Sequence, residues 1–116
     1  MMREIDIPIP PGSKLTAIEA AVDKTCRSLG LHIVLRTNLR KYPGCIHWHV
    51  RKKWEKGTLE LTAWPNRRPL WLKIHPSRSA TWIESVLLTL VADLPSNLEM
   101  QDGRMKDSRN GGNSCI

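Results

Sequence analysis

Between Leu31 and Ile74 the chain sorts its side chains by parity four times over, and that alternation limits the possible folds more than any other feature. Four strand candidates lie at about 31–37, 44–52, 57–64 and 69–76. Each sends one set of residues to one side: Leu31, Ile33 and Leu35; Ile46, Trp48 and Val50; Leu59, Leu61 and Ala63; Leu70, Leu72 and Ile74. A period of two with one apolar face is the pattern of an antiparallel sheet packed on one side only. The connections are short and rich in turn residues, running from Asn38 to Gly44, from Lys53 to Gly57, and from Pro65 to Pro69. Such links favour hairpins, hence a meander. An earlier alternating segment, Glu4 to Ile9, adds a fifth strand candidate. Its Pro8 cannot donate to a ladder, which places the strand at an edge.

Two amphipathic helices are available to cover the apolar face. Over 14–29, Leu15, Ile18, Val22, Cys26 and Leu29 recur at spacings of three and four. Ser13 is a candidate N-cap, Thr16 with Glu19 an alternative capping box, and Gly30 suits the position after the C-cap. Over 80–94, starting near Ser79 or Thr81, a broad apolar face contains Trp82, Ile83, Val86, Leu87, Leu90, Val91 and Leu94, and Pro95 is expected to end the helix. The fold class is therefore α+β. It is a two-layer sandwich in which two helices lie on one face of an antiparallel, four- to five-stranded meander sheet, in the order β-α-β-β-β-β-α. This layout is similar to other folds in which two helices back an antiparallel sheet, including frataxin-like, double-stranded-RNA-binding and TATA-binding domains, without any family motif in the residues. Residues 1–95 form a single domain, and 96–116, without periodicity, read as a disordered C-terminal tail.

Charge is distributed unevenly. Of the net +7, residues 36–78 contribute more than the whole, with eleven basic residues against Glu55 and Glu60. An excess so localised points to a polyanionic or acidic partner. No apolar run approaches the ~20 residues of a membrane span, and the charged N-terminus has no signal-peptide core behind it, so no membrane contact and a cytoplasmic location are expected. The three cysteines, Cys26, Cys45 and Cys115, are odd in number and lack metal-type spacing, so reduced thiols are expected rather than a disulfide framework.

The opposite parity set gives the sheet's open face: His32, Val34, Arg36; Cys45, His47, His49, Arg51; Thr58, Glu60, Thr62, Trp64; Trp71, Lys73, His75. All four histidines fall there. Hairpin turns centred near 39–41, 54–55 and 67–68 would align two rows across the sheet, His32–His49–Glu60–His75 and Cys45–Trp64–Trp71. His49, Glu60 and His75 are candidate metal ligands, with a polar cross-strand ladder as the plainer reading. Trp64 and Trp71 make a candidate stacking platform for bases, or simply an aromatic pair that stabilises a hairpin. The turn Arg51-Lys52-Lys53-Trp54-Glu55-Lys56 carries a Trp at its tip.

No Gly-rich phosphate loop, nucleophile elbow or paired carboxylates occur, so neither an enzyme nor a cofactor is expected. The leading expectation is a small, basic, non-enzymatic binding domain contacting nucleic acid through the open sheet face and the basic turns. Its candidate contacts are Arg36, Arg51, Lys52, Lys53, Trp54, Trp64, Arg67, Arg68, Trp71 and Lys73. The rival is a protein-interaction module whose Trp- and His-rich face meets an acidic protein or a second copy in a homodimer. A metal-binding protein is the third reading.

Overall fold

The computed structural model describes residues 2–106, with side chains through Met100. Its elements are β1 (Arg3–Asp6), α1 (Leu15–Ser28), β2 (Leu31–Thr37), β3 (Ile46–Lys52), β4 (Leu59–Trp64), β5 (Arg68–Ile74), a single 3-10 turn at Pro76–Arg78, and α2 (Thr81–Lys106). One five-stranded antiparallel sheet has the order β1-β5-β4-β3-β2. The four later strands form the expected meander, and β1 sits at the edge beside β5. This is the α+β sandwich that the alternation and the two helices imply.

The helix-facing parity set is the core. Trp48, Val50, Leu59, Leu61, Leu70 and Leu72 are buried with Ile18, Val22 and Cys26 of α1 and with Ile83, Leu90 and Leu94 of α2. Trp48 is wholly enclosed, and its indole N–H finds no acceptor among the described residues. An unpaired buried donor costs about 1–3 kcal/mol, which the packing around the ring must offset.

Helix α1 starts without either expected cap. Lys14 holds the N-cap position with no side-chain bond, and the Ser13 hydroxyl instead donates to the Pro10 carbonyl at 2.6 Å. Its end is as expected: Gly30 follows the C-cap Leu29 at φ +71, where a side chain would clash with its own backbone.

Helix α2 extends past its expected end. It runs through Pro95 to Lys106, so residues 96–106 are helix rather than disordered tail. Proline removes one intrahelical hydrogen bond and crowds the preceding turn. Here tertiary packing outweighs that cost. Leu94 and Leu98 are both 1% exposed, and the Asn97 amide donates to Thr25 Oγ1 of α1 at 2.8 Å. The remainder of the expected tail, 107–116 with Cys115, lies outside the described residues.

Two irregularities reset the register. A bulge in β2 between Ile33 and Leu35 moves the pairing from Ile33–Val50 to Leu35–His49. One extra residue inverts every side chain beyond it. Leu35 therefore joins the open face, 43% exposed, while Arg36 pairs with Trp48 and turns toward α1, where it forms an ion pair with Glu19. The second bulge, between Thr62 and Trp64, accompanies a turn at Pro65–Arg67, tighter than one centred on 67–68. Trp71 consequently lies opposite Thr62 rather than Trp64, and Lys73 opposite Glu60.

Candidate nucleic-acid interface and histidine cluster

The open face divides into three parts. At one end, the connection between β3 and β4 projects the basic turn. Trp54 at its tip is 93% exposed and has φ +62, the only non-glycine left-handed residue among those described. Arg51, Lys53 and Lys56 are exposed around it, Lys52 lies 3.7 Å from Glu55, and Lys53 Nζ sits 5.9 Å from the Trp54 ring centre. His32 and Val34 of β2 join these residues in a shallow groove of about 410 Å³.

The turn is firmly rooted. Trp82 of α2 donates its indole N–H to the Lys56 carbonyl at 2.7 Å, and Thr58 N–H bonds the Arg78 carbonyl at 2.9 Å. Between them Gly57 passes so close to the segment leading into α2 that a Cβ there would lie 2.7 Å from the Ala80 Cβ and 3.0 Å from the Arg78 carbonyl oxygen. Its φ of +101 adds a second reason for glycine. A rigid base thus carries a solvated aromatic tip.

At the opposite end the tryptophans are covered. The loop between β2 and β3 folds back so that Tyr42 lies 4.8 Å from Trp64 and edge-on to Trp71 at 5.6 Å. Trp64 donates its indole N–H to the Pro43 carbonyl at 2.8 Å. Arg68 stacks 4.4 Å from the Trp71 ring centre, leaving Trp71 2% exposed. Trp71 has no ring face free to receive a base, whereas Trp64 is half-buried with Arg67 5.7 Å from its ring. Cys45 precedes β3 instead of lying in it. Its buried sulfur accepts from Leu39 N–H at 3.4 Å, which is a role in shaping the loop. Cys26 is likewise enclosed, and burial, with Asp23 nearby, pushes its thiol up to about 12.

Edge strand β1 supplies acids to the same face. Arg68 bonds Glu4 at 2.7 Å and Asp6 at 2.6 Å, and Lys73 lies 3.9 Å from Glu4. The Arg68 guanidinium holds the Glu4 carboxyl below its usual range. Two of the expected anion contacts, Arg68 and Lys73, are therefore paired internally, and Arg36 is on the other side of the sheet. The structure keeps together Arg51, Lys52, Lys53 and Trp54, and sets Trp64 and Arg67 apart at the far end.

Between the two ends lies the histidine cluster. The register pairs His47 with Thr62 and His49 with Glu60, as the turn lengths imply, while His32 pairs with Arg51 and stands apart. His47 Nε2 lies 3.1 Å from His49 Nε2 and 3.5 Å from Glu60 Oε1, and His47 Nδ1 lies 2.8 Å from Thr62 Oγ1. Glu60 Oε2 meets His75 Nε2 at 3.1 Å and Arg78 at 3.6 Å. His47 and Glu60 are buried, at 6% and 7% exposure. Burial holds the His47 imidazole below its ordinary pKa, against an opposing pull from Glu60. His47 and Thr62, absent from the expected ligand set, are central to the cluster. The signal for both was present in the alternation that also selected His49 and Glu60.

No protein-family model matches the chain, no curated protein matches it, and no solved structure matches it. No helix among the described residues is long and apolar enough to cross a membrane.

Proposed function

We propose that this chain is a non-enzymatic nucleic-acid-binding domain, and that its contact surface centres on the β3–β4 turn rather than on the whole open face. The observation that carries this reading is Trp54: a large aromatic side chain 93% exposed, at φ +62, within a basic turn. A bulky residue in that backbone region costs about 1–3 kcal/mol, and such strain concentrates at binding sites. An indole in water among Arg51, Lys53 and Lys56 offers a base a stacking surface, while the cations attract phosphates without regard to sequence. Trp64 with Arg67, and Tyr42 with Lys41, provide a second, smaller basic and aromatic patch at the other end of the sheet. Free Cys26 and Cys45 accord with a cytoplasmic setting.

Fluorescence anisotropy with short labelled oligonucleotides, between ~50 and ~200 mM salt, tests the reading. The logarithm of the association constant should fall linearly with the logarithm of salt concentration. Replacing Lys53 and Lys56 by Ala should flatten that line, on single strands, by about 0.7 for each phosphate no longer neutralised. A folded sample that binds neither single strands nor duplex at ~50 mM salt, where screening is weak, excludes it.

Self-association is the alternative, and one observation favours it. The outer edge of β2 has no strand partner among the described residues, and Val34 and Leu35 beside it are 56% and 43% exposed. An open edge with apolar side chains can pair with a copy of itself. Sedimentation equilibrium distinguishes the two, since a dimer formed there should dissociate in Val34→Lys.

A further inference from the structure

We propose that His47, His49 and Glu60 form a binding site for one zinc ion, with Thr62 and His75 orienting the ligands. The donor atoms of these three residues all lie within 4.8 Å of one another. More telling are the individual spacings. Two ligands on a tetrahedral zinc ion with bonds of ~2.0–2.1 Å lie about 3.3 Å apart. His47 Nε2 is 3.1 Å from His49 Nε2 and 3.5 Å from Glu60 Oε1. Both distances match an edge of that tetrahedron before any ion enters.

The surrounding groups match as well. A zinc-bound imidazole usually gives its other N–H to an oxygen that fixes its tautomer and its orientation. His47 Nδ1 is 2.8 Å from Thr62 Oγ1. With the proton on Nδ1, that nitrogen donates to Thr62 and Nε2 keeps its lone pair for the cluster. Glu60 is held similarly, its Oε2 facing His75 Nε2 at 3.1 Å and Arg78 at 3.6 Å, which leaves Oε1 on the side of His47. With that tautomer of His47, His49 would donate from Nε2–H to His47 Nε2 in the metal-free protein, and on binding His49 would carry that proton on Nδ1 instead. The exchange replaces one hydrogen bond by three coordinate bonds and needs no net proton transfer.

The strands explain why these residues meet. His47 and His49 project from the same side of β3, and the pairing of His49 with Glu60 sets the carboxylate beside them. Half-exposed His49 gives access from the open face, while buried His47 and Glu60 form the floor. Two imidazoles and a carboxylate leave one coordination position for water or an outside ligand. Arg78, 3.6 Å from Glu60, and Lys73, whose charge acts on His47, oppose the incoming charge. The affinity expected is therefore micromolar rather than nanomolar.

Isothermal titration of the full chain with zinc chloride, after chelator treatment, reads this directly. One equivalent should bind, and cobalt(II) added in its place should give the intense visible absorption of a tetrahedral ion. His49→Ala, at a half-exposed position, should abolish binding with the circular dichroism unchanged. Thr62→Val should weaken it by about 10–100-fold, the usual cost of losing a group that orients a ligand. His32→Ala, remote from the cluster, should leave it unchanged. Absence of zinc binding in the unaltered protein overturns the proposal, as does binding that survives His49→Ala or cobalt that remains octahedral. A hydrogen-bonded ladder alone predicts no zinc binding.

Discussion

Tyr42 lies edge-on to Trp71 at 5.6 Å, and this one contact decides which tryptophans are free to meet a partner. With Arg68 also stacked 4.4 Å from its ring centre and only 2% of it exposed, Trp71 is part of the fold. Replacing Tyr42 by Ala should destabilise the protein by about 1–3 kcal/mol, since aromatic pairs contribute beyond their buried area. It should also shift Trp71 fluorescence toward that of a solvated indole. An unchanged melting temperature would show that the loop does not dock.

Gly57 sets the position of the basic turn. Gly57→Ala would place its Cβ 2.7 Å from that of Ala80, in a backbone region that side chains avoid. Chemical denaturation should show a loss of at least about 1 kcal/mol, with the indole N–H resonance of Trp82 displaced. Retention of full stability would mean that the turn and the start of α2 do not approach so closely.

Beyond Pro95, helix α2 is anchored by Leu98, which is 1% exposed. Leu98→Ala should cost about 2–5 kcal/mol, as for other enclosed leucines. A chain ending at Ser96 should likewise melt lower than the full chain. If the two melt alike, the second half of α2 contributes nothing to the core.

In zinc-free protein, the buried His47 should make stability depend on pH. Its folded pKa is lowered, chiefly by burial, with His49 and Lys73 lowering it further and Glu60 raising it. The unfolded chain then takes up this proton first, at pKa ~6.5. Stability should be complete above that value and fall as pH drops below it, levelling off once the folded form is also protonated. The His47→Gln variant should lose this part of the profile. Urea midpoints that rise as the pH falls from ~6.5 would have the wrong sign.

Much of the fold was legible in the alternation, because burying one face of a sheet leaves little freedom in parity. The departures are local and have physical causes. Nothing in Val34 announces the bulge that sends Arg36 to Glu19. Pro95 breaks a helix by local rules, and only the distant partners of Leu98 and Asn97 reverse that outcome. Less of the site was legible. Glu4 and Asp6 alternate on β1, but their pairing with Arg68 depends on which strand lies beside them. Tyr42 belongs to a loop with no period to place it. His47 and Thr62, in contrast, lie on the open face that the alternation assigns them, one pair along from His49 and Glu60.

If nucleic acid meets the protein at Trp54, the indole N–H resonances should show it. The most direct test follows all five of them while a short single-stranded oligonucleotide is added at ~50 mM salt. Trp54 is 93% exposed, while Trp48, Trp71 and Trp82 are each at most 2% exposed. The Trp54 signal should move first and furthest, Trp64 should follow weakly, and the three enclosed indoles should stay in place. Raising the salt to ~200 mM should return the shifted signals toward their starting positions. Binding that leaves the Trp54 resonance unmoved, or no response of any indole at low salt, would contradict a contact surface centred on this turn.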